Sequence, residues 1–330
     1  MSTPAELAAN RLAFEMQSWR SIELQVRHGI SRPTEPERRP DYDHLIDHYT
    51  ETAVGWRKND NTSFDGATLN SHSQAYFDGS RYAQVGFARD ELSKQSQVII
   101  KRSFEMEDKS ASTSRPVPLS CLYLGQTPLP EALRKAVHLG TEEVLGRRCD
   151  RFLFTDLKWD EHRRHQVFSL DQATAIPLRI LTYQDANAYS AGKILLRWEA
   201  ESLDRVQGHW VPLRSKGTLY SPESGSPSLF RAYDVQEVAF DRPFAKSAFW
   251  PVVQPGVPVF DATVNKLTRS PGPKPQAAAK PAVAPASTAV PTVATPAVPP
   301  ADWTASLPNL GLGLGIASLA VGLLLWWRRR

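Results

Sequence analysis

The sequence predicts an α+β fold. A long antiparallel β-meander curls into a curved half-barrel, covered by one or more helices, with a Pro/Ala-rich disordered linker and a C-terminal transmembrane helix behind it. Three observations carry this expectation. Apolar residues recur at helical spacing in the opening segment, then alternate in successive runs separated by turn residues without helical crossovers, and the composition breaks sharply after Leu267. The boundaries that follow are a folded domain over 1–267, a linker over 268–306 and a membrane anchor over 307–330.

The helix comes first. Ala8, Leu12, Met16 and Trp19 share one face, and Thr3, Pro4 and Glu6 supply a hydroxyl cap, a proline in the first turn and the return partner of a capping box. No basic, apolar and small-residue series of a secretory signal precedes it. The opening is therefore read as the start of the fold, and export would need a start codon upstream of Met1 or insertion by the tail.

The period then changes. In "SIELQVRHG", Ile22, Leu24 and Val26 alternate with Glu23, Gln25 and Arg27, the pattern of a half-buried strand. Residues 30–70 are proline-rich and polar and give no firm assignment. From "AYFDGSRYAQVGFAR" onward, β-rich pairs resume around turns such as Asp78-Gly79. "HQVFSLDQATAIPLRILTYQ" reads as a hairpin with Phe168 and Leu170 answered by Leu178 and Ile180. "KILLRWEAESLDRVQGHWVPLRSKGTLYS" repeats the plan, with Ile194, Leu196 and Trp198 on one face, a turn at "DRVQG" and Trp210 beyond it, and "SLFRAYDVQEVAF" adds a last strand. "LPEALRKAVH", opened by Pro130, is a short helical cover. Twist accumulating along such a meander curls it toward a partly closed barrel.

After Leu267, proline every few residues forbids a core and favours extended chain, about 3 Å per residue, so a linker of roughly thirty residues reaches on the order of 100 Å. The uncharged run Leu310–Trp327 is long enough, at the short limit, to span a bilayer. Trp326 and Trp327 suit the interface, and Arg328, Arg329 and Arg330 suit the cytoplasmic side. "LPNLG" resembles a sortase motif, but Leu310 stands at the position of the cleavage-site threonine, which favours a simple anchor. The folded domain is accordingly expected on the periplasmic side of the cytoplasmic membrane.

Charge and chemistry exclude several classes. The 330 residues are 41% hydrophobic and 22% charged, as in globular proteins, and 39 basic residues mixed among 35 acidic ones, with three in the terminal arginines, do not indicate nucleic acid. Cys121 and Cys149 fit no metal or redox spacing. They are a possible disulfide in an oxidising compartment and two buried thiols in a reducing one. His44 and His48 among Asp41, Asp43 and Asp47, and His162 and His165 beside Asp160 and Glu161, are read as solvated charged segments and not as metal sites. No GxSxG, HExxH or P-loop is present. The chain is not expected to be an enzyme, and no cofactor or metal is expected.

The stretch "HLGTEEVLGRRCDRFLFTDL" followed by "RRHQVFSLDQATAIPLRILTYQ" resembles the outer-membrane lipoprotein carrier (LolA-like) superfamily, and most closely in pattern the amino-terminal domains of RseB-type regulators. The resemblance rests on a glycine-marked turn at Gly146, a strand ending in Asp171 and a Pro177-Leu178-Arg179 strand. It extends from about Pro4 to Asp261, through "YFDGSRY" and "FDRPFAKSAFWPVVQPGVPVFD". It implies a half-barrel enclosing an apolar cavity for acyl chains. Candidate cavity residues are Phe168, Leu170, Leu178, Ile180, Ile194, Leu196 and Trp198, for each of which ordinary packing against the covering helix is the competing reading. The expected function is a membrane-tethered envelope domain binding lipid or lipoprotein acyl chains, with a regulatory module that engages a membrane protein partner as the alternative.

Overall fold

A computed structural model describes residues 2–33, 45–65, 68–88, 91–102, 115–125, 127–159 and 162–271. They lie in the first of two compact units, Met1–Gln276 and Ala277–Arg330. Residues 272–306 of the linker expected over 268–306, and the anchor expected over 307–330 with Trp326, Trp327, Arg328, Arg329 and Arg330, lie outside the described residues. Among the described residues, no helix is long and apolar enough to cross a membrane.

The chain begins with helix α1 (Pro4–Gln17), whose Thr3 side chain accepts from the Glu6 amide while Glu6 accepts from the Thr3 amide, the reciprocal box read from the sequence. A first meander follows: β1 (Ser21–Ser31), β2 (Leu45–Thr52), β3 (Arg57–Asp65), β4 (Thr68–Phe77), β5 (Arg81–Phe87) and β6 (Gln95–Arg102). Two short strands, β7 (Tyr123–Leu124) and β8 (Thr127–Pro128), lead into α2 (Leu129–Leu133). The second meander holds β9 (Val137–Val144), β10 (Arg147–Trp159), β11 (His162–Asp171) and β12 (Pro177–Tyr183), then the single-turn α3 (Ala186–Ser190) and β13 (Leu196–Ala200). It continues through β14 (Asp204–Val206), β15 (His209–Val211), β16 (Arg214–Tyr220) and β17 (Pro227–Phe240). The chain returns as β18 (Pro258–Asp261) and β19 (Lys266–Arg269), which carries the fold past residue 267.

Fifteen of these strands form one curved, unclosed sheet, in the order β19-β18-β6-β5-β4-β3-β2-β1-β17-β16-β13-β12-β11-β10-β9. The first strand joins the two meanders by pairing with both β2 and β17. Pairings within this sheet are antiparallel, as expected, except that β18 runs parallel to β6 because the chain crosses back to that edge from β17. Turn chemistry agrees locally. The two residues between β9 and β10 are Leu145 at φ 54° and Gly146 at φ 67°, the left-handed pair that a tight hairpin matching strand twist requires.

Three expectations need correction. The "DRVQG" turn exists, with Gln207 and Gly208 both at positive φ, but it closes its own hairpin of β14 and β15, while β13 pairs with β16. Ile194 precedes β13, because the chain leaves α3 through a turn at Gly192 and strand pairing resumes with the Leu195 amide donating to the Thr182 carbonyl. The helix in "LPEALRKAVH" ends at Leu133, and Val137 already belongs to β9.

The apolar core sits on the inner face of the second meander. Ala5, Ala8, Ala9 and Leu12 of α1 and Leu129 and Leu133 of α2 pack on Phe152, Phe154, Phe168, Leu170, Leu178, Ile180 and Trp198. Alanines at the contact let the helix axis approach the sheet closely, and each buried leucine contributes roughly 1.5–3 kcal/mol. At the other end of the sheet the apolar side changes face. Tyr76, Ala83, Val85 and Val98 point outward and are covered by Val257, with Trp250 and Val253 beside it. The inner face of β2 and β3 is thereby left to polar residues.

Candidate functional site

Where the two meanders meet, an apolar cleft opens between the end of α1 (Met16) with Trp19 just after it, β1 (Ile22, Leu24), the Pro118–Leu122 segment and the β14–β15 hairpin. The hairpin is tied to α1 by the Trp210 amide, which donates to Glu15 Oε1 at 3.1 Å. The cleft encloses about 30 Å³, room for a single water, so in this conformation its walls nearly touch.

Next to this cleft the inner face becomes a ladder of buried polar groups. Strand register places Ile22, Leu24 and Val26 of β1 opposite Glu51, Tyr49 and Asp47 of β2, and these opposite Arg57, Asn59 and Asn61 of β3. Glu51 is 2% exposed, and both of its oxygens are occupied. Arg115 donates to it twice, at 2.6 and 2.8 Å, and the Tyr49 hydroxyl donates at 2.9 Å. Asp47 lies 2.8 Å from His28 and accepts from Asn61 at 2.7 Å. Burial raises the Asp47 pKa, but the His28 and Asn61 contacts outweigh it and hold the carboxyl below its ordinary value. Burial beside Glu51 pushes the Tyr49 hydroxyl well up and that of Tyr123 to about 12, so both stay protonated donors.

The sequence-derived cavity residues fall into two groups. Phe168, Leu170, Leu178, Ile180 and Trp198 come together under α1 and are at most 9% exposed, whereas Leu196, opposite Thr182 and Leu219, and Ile194 are half-buried. Cys121 and Cys149 are both buried free thiols in that same cluster. Of the histidine segments, Asp41, Asp43, His44, Asp160 and Glu161 lie outside the described residues. His48 is exposed on β2 while its neighbour Asp47 faces inward. His165 departs from the expected solvated turn: it is 7% exposed within β11, opposite Tyr183 and 5.8 Å from the Tyr189 ring. Among the described residues, no group of three or more His, Cys, Asp or Glu could hold a metal ion. The ladder of Asp47, Glu51, Arg57 and Arg115 is absent from the sequence-derived candidates. Its segments "DHYTE" and "RKNDN" are polar at nearly every position, the composition of an exposed segment.

No protein-family model matches the chain, and no curated protein matches it. Solved structures do. A domain of an outer membrane lipoprotein-sorting protein from Vibrio parahaemolyticus has a TM-score of 0.48 at 13% identity, over 74% of this chain and 95% of that one. A LolA superfamily protein from Nitrosomonas europaea has a TM-score of 0.41 at 12% identity, over 76% and 99%. MucB of the Pseudomonas aeruginosa MucA/MucB complex has a TM-score of 0.26 at 11% identity, over 73% and 100%. The chain is thus similar to LolA-superfamily and RseB-type structures, the two groups its motifs resemble.

Proposed function

We propose that the folded domain is a non-enzymatic binder of acyl chains, of lipid or of lipoprotein, held on the outer side of the cytoplasmic membrane by the apolar, arginine-ended tail. The observation that carries this reading is the apolar cleft at the junction of the meanders. It is bordered in part by elements outside the fifteen-stranded sheet, namely the end of α1, the Pro118–Leu122 segment and the β14–β15 hairpin. An acyl chain would enter by displacing these walls and would lie toward the Phe168, Leu178 and Trp198 floor beneath α1. At about 0.8 kcal/mol per buried methylene, ten methylenes supply on the order of 8 kcal/mol, comparable with the cost of association, so only long chains bind well.

Native mass spectrometry of residues 1–276, exported behind an added signal peptide and purified without detergent, tests the reading. A bound species of acyl-lipid mass that is lost on organic extraction is the expected result. A folded domain that stays empty, including after incubation with phospholipid vesicles, would overturn it and make the regulatory module, with a membrane protein as ligand, the working function.

A further inference from the structure

One rung of the sheet runs from the cleft to an uncompensated charge. In register across five strands stand Ile22, Glu51, Arg57, Phe77 and Tyr82, all on the inner face. Ile22 lines the cleft, and Arg57 is two strands away, roughly 10 Å at the spacing of paired strands. Arg115, from outside the rung, takes both oxygens of Glu51, so two cations, Arg57 and Arg115, stand against one anion. Arg57, only 9% exposed, is left with a single hydrogen bond among the described residues, from Nη2 to the Tyr82 hydroxyl at 2.9 Å. Its guanidinium lies over the Phe77 ring at 4.7 Å, and its Nε is buried with no partner. A buried guanidinium without a carboxylate is costly, and the aromatic face beneath it offsets only part of that cost. Its planar fork suits an oxyanion.

From this we infer that Arg57 receives the oxyanion head, carboxylate or phosphate, of an amphiphile whose hydrocarbon part occupies the neighbouring apolar cleft. The inference rests on the acyl-binding reading above and specifies its ligand class. Glu51, held by Arg115 and Tyr49, acts as a fixed wall that leaves Arg57 the free cation of the rung.

The test compares cis-parinaric acid with its methyl ester, followed by ligand fluorescence on the full chain at neutral pH. The wild-type chain should bind the acid at least about tenfold tighter than the ester, the scale of one charge-assisted hydrogen-bonded contact. Arg57→Gln should reduce the acid to the affinity of the ester while leaving the ester unchanged, and Arg57→Lys should keep part of the preference. Displacement of the acid by phosphatidylglycerol but not by diacylglycerol would assign the oxyanion to a phosphodiester, and displacement by oleate alone to a carboxylate. Equal binding of acid and ester by the wild-type chain would overturn the head-group assignment while sparing the acyl-binding reading. So would a folded Arg57→Gln that keeps the preference. Binding of neither probe would remove both. Should Arg57→Gln fail to fold, the acid-to-ester ratio of the wild-type chain decides alone.

Discussion

Arg147, the first residue of β10, grips Asp171, the last residue of β11, through two parallel hydrogen bonds, Nε to Oδ1 at 3.1 Å and Nη2 to Oδ2 at 2.8 Å. The same carboxylate closes the turn into β12, accepting from the Thr174 amide at 3.0 Å and its hydroxyl at 2.7 Å. Asp171 is 3% exposed, so replacing it with asparagine removes the buried charge to which the half-buried Arg147 donates. Asp171→Asn should lower unfolding stability by about 2–3 kcal/mol, the scale of hydrogen bonds to a charged group, measured by urea denaturation.

The pH dependence follows from the same carboxyl. Burial raises its pKa, but Arg147 and Thr174 outweigh burial and hold it below the ordinary 3.8. A carboxyl depressed in the folded state stabilises fully above its unfolded value and loses that contribution as pH falls through the lower folded value. Asp47 and Glu199 are depressed in the same sense. Urea midpoints should therefore fall steadily as pH is taken below about 4, and the fall should be shallower in Asp171→Asn. An acid limb identical in the two proteins would show that Asp171 titrates as an ordinary carboxyl.

Helix α1 is held at its start by one residue. Thr3→Ala removes the side-chain acceptor of the Glu6 amide and should cost about 1 kcal/mol. Hydrogen exchange should quicken in the first turn of α1 while β10 to β12 remain protected.

Trp198 separates core packing from cavity lining. It is 5% exposed in the cluster beneath α1, and its indole N–H has no partner among the described residues. Trp198→Ala should cost about 3–5 kcal/mol, while Trp198→Phe, which also removes an unsatisfied donor, should cost less than about 1.5 kcal/mol. A small loss in Trp198→Ala would instead mean that the ring borders open volume available to a ligand.

Legibility followed how local the determining chemistry was. Helix α1 could be read because cap, proline and apolar spacing all lie within its own span, and the β11–β12 hairpin because Phe168, Leu170, Leu178 and Ile180 put apolar side chains on the buried face. Strands β2 and β3 could not, because both are polar at most positions and show no apolar period. Their buried side is Asp47, Tyr49, Glu51, Arg57 and Asn59, the reverse of the usual polarity. The group that makes Glu51 tolerable there, Arg115, is 64 residues away in sequence. Period alone identifies a strand, but which face is inside depends on partners that no window contains. His165 follows the same rule: within a charged stretch its side chain is buried against Tyr183 and Tyr189, on the face of β11 opposite to Phe168 and Leu170.

The two cysteines give the last prediction. Both thiols are buried and free. Burial drives the Cys121 thiol far above its ordinary range, and burial together with Asp171 and Glu142 pushes Cys149 up to about 11. Since the thiolate is the nucleophile, neither should react at neutral pH while the fold is intact. Iodoacetamide should leave the native chain unmodified and label both positions after denaturation without reductant. Labelling that requires reductant would show that export joins Cys121 and Cys149, and that the cluster beneath α1 rearranges to bring them together.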